Sequence, residues 1–402
     1  MDIRPLGPQD DPEIEVALAR RAFGPVDAAE REDRLADARA VFGTGRALGA
    51  FDGPQAVAVA MFHDMRQWWH GRPLRMAGVG GVKVAPEERG RGIGRALMTE
   101  LLRVIAERGY ALSVLFPATT PLYRSLGWEL AGDVHEAVIP TRSLAALPPP
   151  DGPRPALRRA GPQDAAEAIA VLDAVYESSR CHGPGSFDAE TFAHWSLGDD
   201  NDFCYLAPDG FLAYRWHGSY REREIKVDCL LAASQETTRA LWSVVASHAA
   251  QARLVRAIVP AADPVAWLTR EADVGLAVRE PWMLRVVDAA AAVAGRGFPA
   301  AVEAAVSLRI EDGPVPANDG PWRLEVGGGH GSLNPDSSVT RHPASPGAPG
   351  PVTLGARGFA ALYAGVPMAT LRRAGLAAGG DARADDALDA AFAGPAFMLQ
   401  DF

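Results

Sequence analysis

Apolar residues recur along this chain at two spacings, and the alternation between them lays out its elements. "RALMTELLRVIAERG", 95–109, puts Leu97, Leu101, Val104 and Ile105 on one helical stripe, with Gly109 placed to end the helix. The run before it, "VGGVKV", 79–84, predicts a strand that Pro86 and the acids behind it stop. "YALSVLFPA", 110–118, predicts a second, buried strand, and "TTPLYRSLGWE", 119–129, a short helix ending at Gly127 before another strand. Helical periods also mark "PEIEVALARRAF", 12–23, and "AAEAIAVLDAVY", 165–176, while "DCLLAASQETTRALWSVVASH", 228–248, again reads as strand then helix. Beyond Arg285 the order changes: helical "AAVAGRG", strand-like "VEAAVSLRIEDG" and "PWRLEVGG", a Gly/Pro-rich loop from about Gly327 to Gly350, and a helical region opening "GARGFAALYAGV".

The pattern repeats itself. "IRPLGPQD", 3–10, returns as "LRRAGPQD", 157–164, each ahead of a helical stretch, which marks a duplicated unit of about 150 residues. Between the copies, the prolines of "LPPPDGPRP", 147–155, forbid regular structure and read as a linker. The expected fold class is α/β and α+β: two tandem units with mixed sheets, 1–146 and 147–284, and a C-terminal α+β domain over 285–402.

Composition narrows the partners. At 402 residues the chain exceeds the size at which a single core stops growing, and 48% apolar with 22% charged residues is the balance of a soluble globular protein. The opening "MDIRPLGPQDDPEIE" is acidic where a secretory signal is basic and then apolar, and no apolar run approaches the roughly 18 residues that span a bilayer. A cytoplasmic location without a membrane partner is the expectation. A formal charge of −10 disfavours nucleic acid and suits a cationic partner. Cys181, Cys204 and Cys229 lack the paired short spacings of a zinc site, so reduced thiols and no metal are expected.

The chemistry concentrates between the strand at 79–84 and the helix that follows. Gly90, Gly92 and Gly94, interleaved with Arg89, Arg91, Ile93 and Arg95, fall in a strand-to-helix turn. A helix N-terminus offers main-chain N–H groups without intrahelical partners and the positive end of the helix dipole; bare of side chains, it cradles a pyrophosphate. Neither the Rossmann G-x-G-x-x-G nor a P-loop ending in G-K-[ST] fits. Val82, Val84, Pro86, Arg89, Gly90, Gly92 and Gly94 together resemble the coenzyme A signature of the GNAT N-acetyltransferase superfamily.

That resemblance implies acetyl-CoA as co-substrate. Val82, Lys83 and Val84 then meet the pantetheine and acetyl end, Gly90, Arg91, Gly92, Ile93, Gly94 and Arg95 the pyrophosphate, and Ala118 and Thr119 flank the pantetheine between splayed strands. Lys83 stands where a small apolar residue is expected, and its side chain is expected to point outward. "YRSLGW", 123–128, resembles the superfamily's Y-x-x-x-G-[FW] feature, which implies Tyr123 as the acid that protonates the departing thiolate. Trp68, Trp69 and Phe62 are candidates for the pocket wall, although aromatic residues on a strand are more often core.

The order of the three domains resembles the Eis (enhanced intracellular survival) acetyltransferases. In the second unit Ser234, Glu236 and Thr238 replace the glycines, so that copy is expected not to bind coenzyme A and to wall the acceptor pocket. The third domain resembles the sterol carrier protein fold, from which sterol binding does not follow. The resemblance further implies that the α-carboxylate of Phe402 is the general base, anchored by burial of Phe397, Met398, Leu399 and Phe402, with Asp401 adding charge. It also implies cationic primary amines such as aminoglycosides or lysine side chains as acceptors, and a homohexamer. A non-catalytic scaffold or lipid-binding protein built on the third domain is the competing reading; the intact "RGRGIG" argues against it.

Overall fold

The structure is a computed structural model that describes residues 1–148, 152–198, 202–219, 222–336 and 350–399. The first unit runs β1 (Asp2–Pro5), α1 (Glu13–Phe23), α2 (Ala28–Val41), β2 (Ala47–Asp52), β3 (Gln55–Trp69), β4 (Arg72–Val84), α3 (Ile93–Glu107), β5 (Leu112–Leu115), α4 (Thr120–Arg124), β6 (Glu129–Pro140) and α5 (Thr141–Ala145). The second runs β7 (Arg158–Ala160), α6 (Ala165–Ser178), β8 (His182–Ser186), α7 (Ala189–Leu197), β9 (Asp202–Ala207), β10 (Gly210–His217), β11 (Glu224–Ala232), α8 (Gln235–Ala246), β12 (Leu254–Val259), α9 (Val265–Leu268) and β13 (Gly275–Val286).

The repeated "GPQD" is a structural repeat as well. After β1 the Asp10 carboxylate accepts from the Gly7 N–H at 2.7 Å and pairs with Arg4; after β7 the Asp164 carboxylate accepts from Gly161 N–H at 2.9 Å and pairs with Arg158. Each motif thus closes the turn that launches the first helix of its unit.

Among the described residues thirteen strands form one sheet, in the order β1-β2-β3-β4-β5-β13-β6-β12-β11-β10-β9-β7, with β8 paired to β3. Strand β13, the last of the second unit, inserts between β5 and β6 of the first. The two units therefore share their hydrogen bonds. Helix α3 covers one face of the first unit, over Leu48, Ala58, Ala60, Phe62, Ala77 and Val79; α1 and α2 cover the other, over Ala47, Phe51, Val59 and Met61. Alternate residues of β2 and β3 thus feed two cores, as a strand's period of two requires.

The third domain comprises α10 (Ala289–Gly295), β14 (Ala304–Glu311), β15 (Gly320–Gly327), β16 (His330–Pro335), β17 (Val352–Gly355), α11 (Ala356–Tyr363), α12 (Met368–Arg373), β18 (Ala377–Gly379) and α13 (Ala382–Phe392). Its strands order as β16-β15-β14-β17-β18. Strand β16 occupies part of the stretch expected to be a Gly/Pro-rich loop: Gly328 and Gly329 make a tight turn that pairs it with β15, and residues 337–349 lie outside the described residues. The domain is tied to β13 by a buried ion pair, Arg285 Nη2 to Asp312 at 2.6 Å, and by Asn318 donating to the carbonyls of Val286 and Val287.

Of the two roles open to the β3 aromatics, core and pocket wall, the structure shows core. Trp68, Trp69 and Phe62 are core: Trp69 meets Tyr363 and His182 edge-on, Phe62 meets Tyr110, and Trp68 Nε1 donates to Ser186. The predicted strand 110–118 is regular only over Leu112–Leu115, because Pro117 cannot extend a ladder.

Candidate active site

The sheet opens beside β4. Strands β4 and β5 pair in parallel from Met76 opposite Leu112 to Val79 opposite Leu115. There β5 ends, while β4 continues to Val84. A bulge at Gly81 and Val82 sets Val59 opposite Lys83 and Met61 opposite Gly80, and Gly81 takes φ +61, a left-handed conformation suited to glycine. Beyond Val79 the β5-facing main chain of β4 therefore has no strand partner among the described residues. The slot left by this lost pairing exposes the main chain of β4 at Val82 and Val84 to an extended partner.

The slot leads to the N-terminus of α3. Gly90 and Gly92 have φ of +78 and +79, and a Cβ on either would meet nothing within 4 Å. Glycine is required there by conformation, and the space outside is open. Gly94 differs: its Cβ would touch Val84 Cγ2 at 3.4 Å and Leu122 Cδ2 at 3.7 Å, so it lets the helix sit close to β4. Gly92 is the N-cap and provides no side-chain cap, which leaves the first N–H groups of α3 facing outward. Arg91 pairs with Glu88, Arg89 donates to the Ala22 carbonyl at 3.2 Å, and exposed Arg95 makes no ion pair with a described residue. The equivalent helix of the second unit, α8, is closed: Ser234 Oγ accepts from Thr237 N–H at 3.2 Å. An open, uncapped helix end with cations around it fits a pyrophosphate, and the slot fits the extended arm of coenzyme A.

Tyr123, on α4, lies at the edge of the same slot within the core that holds Val82, Val84 and Leu122, its ring edge-on to Trp128. Burial pushes its hydroxyl up to about 12, and no described residue hydrogen-bonds that hydroxyl. It is therefore a protonated donor at neutral pH. Ala118 and Thr119 are exposed in the bend between β5 and α4, with Thr119 as the N-cap of α4.

Lys83 does not point outward. Its side chain is fully buried on the α1/α2 face, where Nζ pairs with Glu15 and lies 3.4 Å from the Gly81 carbonyl. The alternation of β4 dictates this: Val82 and Val84 face α3, so Lys83 must face the other way. Glu15 Oε1 also receives Arg34 at 3.2 Å, and nearby His63 Nδ1 lies 3.6 Å from Asp37 Oδ1. Burial lowers the Lys83 and His63 pKa values and raises that of Asp37. Glu15, Arg34, Asp37 and His63 were not singled out by sequence reasoning. The one available signal was Glu15 itself, an acid on the buried stripe of α1 with Val16, Leu18 and Ala19.

The C-terminal segment enters between the units. Phe397 N–H donates to the His182 carbonyl at 3.0 Å and bridges Asp133 of β6; Met398 and Leu399 then pack with Met65, Gly185 and Phe187. Phe397, Met398 and Leu399 are buried. Asp401 and Phe402 lie outside the described residues. Among the described residues no group of three or more His, Cys, Asp or Glu is arranged to hold a metal, and no described helix is long and apolar enough to cross a membrane.

Comparison with known proteins identifies the three domains. Residues 2–131 and 191–286 each match an acetyltransferase (GNAT) domain family, and 289–399 match the sterol carrier protein domain. Along its whole length the chain is 39% identical to the GCN5-related N-acetyltransferase from Kribbella flavida, with a TM-score of 0.90 over 100% of this chain and 98% of that one. The chain belongs to the GCN5-related N-acetyltransferases. Within them it is similar to the Eis enzymes: it is 28% identical over 310 residues to N-acetyltransferase Eis of Mycobacterium tuberculosis, covering 72% of this chain and 74% of that protein. Eis1 from Mycobacterium abscessus superposes with a TM-score of 0.80 at 25% identity, each chain covered in full.

Proposed function

We propose that this acetyltransferase uses acetyl-CoA to N-acetylate primary amines of cationic acceptors, a class that includes aminoglycosides and lysine side chains. The observation that carries the reading is the loss of β4–β5 pairing after Val79, which opens onto the uncapped, glycine-bearing N-terminus of α3. Val82, Lys83 and Val84 take the pantetheine and acetyl end through main chain, Gly90 to Arg95 take the pyrophosphate, and Ala118 and Thr119 flank the arm. Acetyl-CoA supplies the thioester carbonyl that an amine attacks. A main-chain N–H at Val82 stabilises the charge that develops on the carbonyl oxygen. Tyr123, kept protonated by burial, gives its proton to the leaving sulfur.

An alkylamine has a solution pKa near 10 and must lose a proton before it attacks. The α-carboxylate of Phe402 is the base in this reading, supported by the buried run Phe397–Leu399 that precedes it and by the likeness to Eis. The second unit and the C-terminal segment wall the acceptor site, and the protein assembles as a hexamer. The test is a panel of mono- and polyamines with acetyl-CoA, scored for free thiol and for acetylated product mass. Thiol release that depends on a cationic amine is expected. Thiol release without acetylated amine, or none with any amine, contradicts the acceptor reading, and sedimentation as a monomer contradicts the hexamer.

A further inference from the structure

The bulge on β4 frees main-chain groups from the ladder. Gly80 pairs with Met61 and Lys83 with Val59, so Gly81 and Val82 together face the single residue Ala60. Phe62 N–H donates to the Arg46 carbonyl, on the β2 side of β3. Main-chain direction alternates along a strand, so Ala60 also turns its N–H and C=O towards β2, where it pairs with Leu48. Gly81 and Val82 therefore find no ladder partner in β3, and on their other side β5 has already ended.

One of the freed groups is taken by a side chain. Lys83 Nζ donates to the Gly81 carbonyl at 3.4 Å, and Glu15 holds the same ammonium on the α1/α2 face, where the Lys83 side chain is fully buried. Gly81 itself is required for this approach: a Cβ there would lie 3.2 Å from Lys83 Nζ and 2.8 Å from Met61 Cε. A trans peptide is planar, with its C=O and N–H pointing in opposite directions. The C=O of Gly81 and the N–H of Val82 belong to one such unit. A carbonyl tied down towards α1 and α2 thus leaves the Val82 N–H pointing to the other side, where the slot lies. The cation on the carbonyl also polarises the unit and strengthens that N–H as a donor.

We propose that Lys83 is a positioning residue for acetyl transfer: by holding the Gly81 carbonyl it aims the Val82 N–H at the oxygen of the thioester. This rests on the reading of the β4 slot as an acetyl-CoA site. A buried ion pair adds little net stability over apolar side chains of like volume, so direction is what Lys83 and Glu15 contribute here. Attack by the amine puts negative charge on that oxygen, and removing one preorganised donor of this kind costs about 10² to 10³ in rate.

The experiment compares the wild type with Glu15→Met/Lys83→Met, which removes both charges together. It measures kcat and KM for 1,4-diaminobutane, acetyl-CoA affinity, denaturant stability, and the infrared stretch of the bound thioester carbonyl, isotope-labelled at its carbon. In the wild type the stretch should lie at lower wavenumber than in free acetyl-CoA, because the N–H polarises the carbonyl. In the double variant that shift should vanish and kcat should fall by about tenfold to a hundredfold, while KM, acetyl-CoA affinity and stability stay near wild type. A double variant that keeps the shift or the wild-type kcat overturns the proposal; Glu15→Leu/Lys83→Leu serves as a second apolar pair should the first not fold. A wild type that binds acetyl-CoA with an unshifted carbonyl overturns it too, and leaves the acetyl-CoA site standing. No binding of acetyl-CoA by the wild type defeats the reading of the slot itself, and the role of Lys83 with it.

Discussion

Tyr123 owes its proposed role to what surrounds it. A phenol in water has a pKa of about 10 and would begin to lose its proton in the alkaline range where amines become free bases. Burial moves Tyr123 to about 12, so the acid and the neutral amine coexist. The kcat/KM of the wild type should then climb with pH as the amine deprotonates, with no falling limb below about pH 11. Tyr123→Phe should keep acetyl-CoA affinity and lower kcat by roughly 10² to 10⁴, the usual scale for a lost general acid; turnover at the wild-type rate would remove Tyr123 from the reaction. A second residue makes a stability prediction. Asp263 is buried ahead of α9 and accepts from the Val265 N–H, yet burial raises its pKa to about 6. Its folded pKa lies above the unfolded value, so the native state binds the proton more tightly. The stability that Asp263 itself contributes is therefore fully present below about pH 4 and is lost, by up to about 3 kcal/mol, as pH rises through about 6. Asp263→Asn should raise the melting temperature at pH 7.5 and leave it unchanged at pH 4.

At the scale of elements, β4 explains both what could be read in advance and what could not. The turn after it was legible because Gly90 and Gly92 answer a backbone requirement, φ near +80, that a sequence announces directly. The end of α3 at Gly109 and the paired "GPQD" turns were legible for the same local reason. The direction of Lys83 was not. Its partner Glu15 lies 68 residues earlier on another element, and only the assembled sheet brings them together. The pair yields its own test. Glu15→Gln strands a buried ammonium and should cost about 3–5 kcal/mol in denaturant unfolding, whereas Glu15→Met with Lys83→Met should recover most of that loss. Equal stability of the single and double variants would show that the charges do not compensate one another. The stretch after β15 was misread because Gly328 and Gly329, taken as loop signals, are the turn of a hairpin.

For the whole molecule the decisive feature is the insertion of β13 between β5 and β6. This pairing joins residues about 150 positions apart and leaves no local mark in a sequence whose repeats and linker suggest separable units. It also covers the far edge of β5, so among the described residues the strand edge left unpaired beside β5 is that of β4 towards Val82. The three domains meet where Phe397 threads between β6 and β8, which links the last domain to the first. A protein extended by a few residues after Phe402 converts the proposed base into a neutral amide. It should bind acetyl-CoA as the wild type does and acetylate poorly; full activity at equal thermal stability would assign the base elsewhere.

All of this depends on coenzyme A occupying the slot and the α3 cradle. Calorimetric titration of acetyl-CoA into the wild type and into Gly92→Glu tests that directly, since the glutamate would put a negative charge, and a side chain in a left-handed conformation, where the pyrophosphate meets the outward N–H groups of α3. Saturable binding by the wild type and none by a folded Gly92→Glu protein is the predicted result; unchanged affinity in a variant of equal thermal stability would contradict the account.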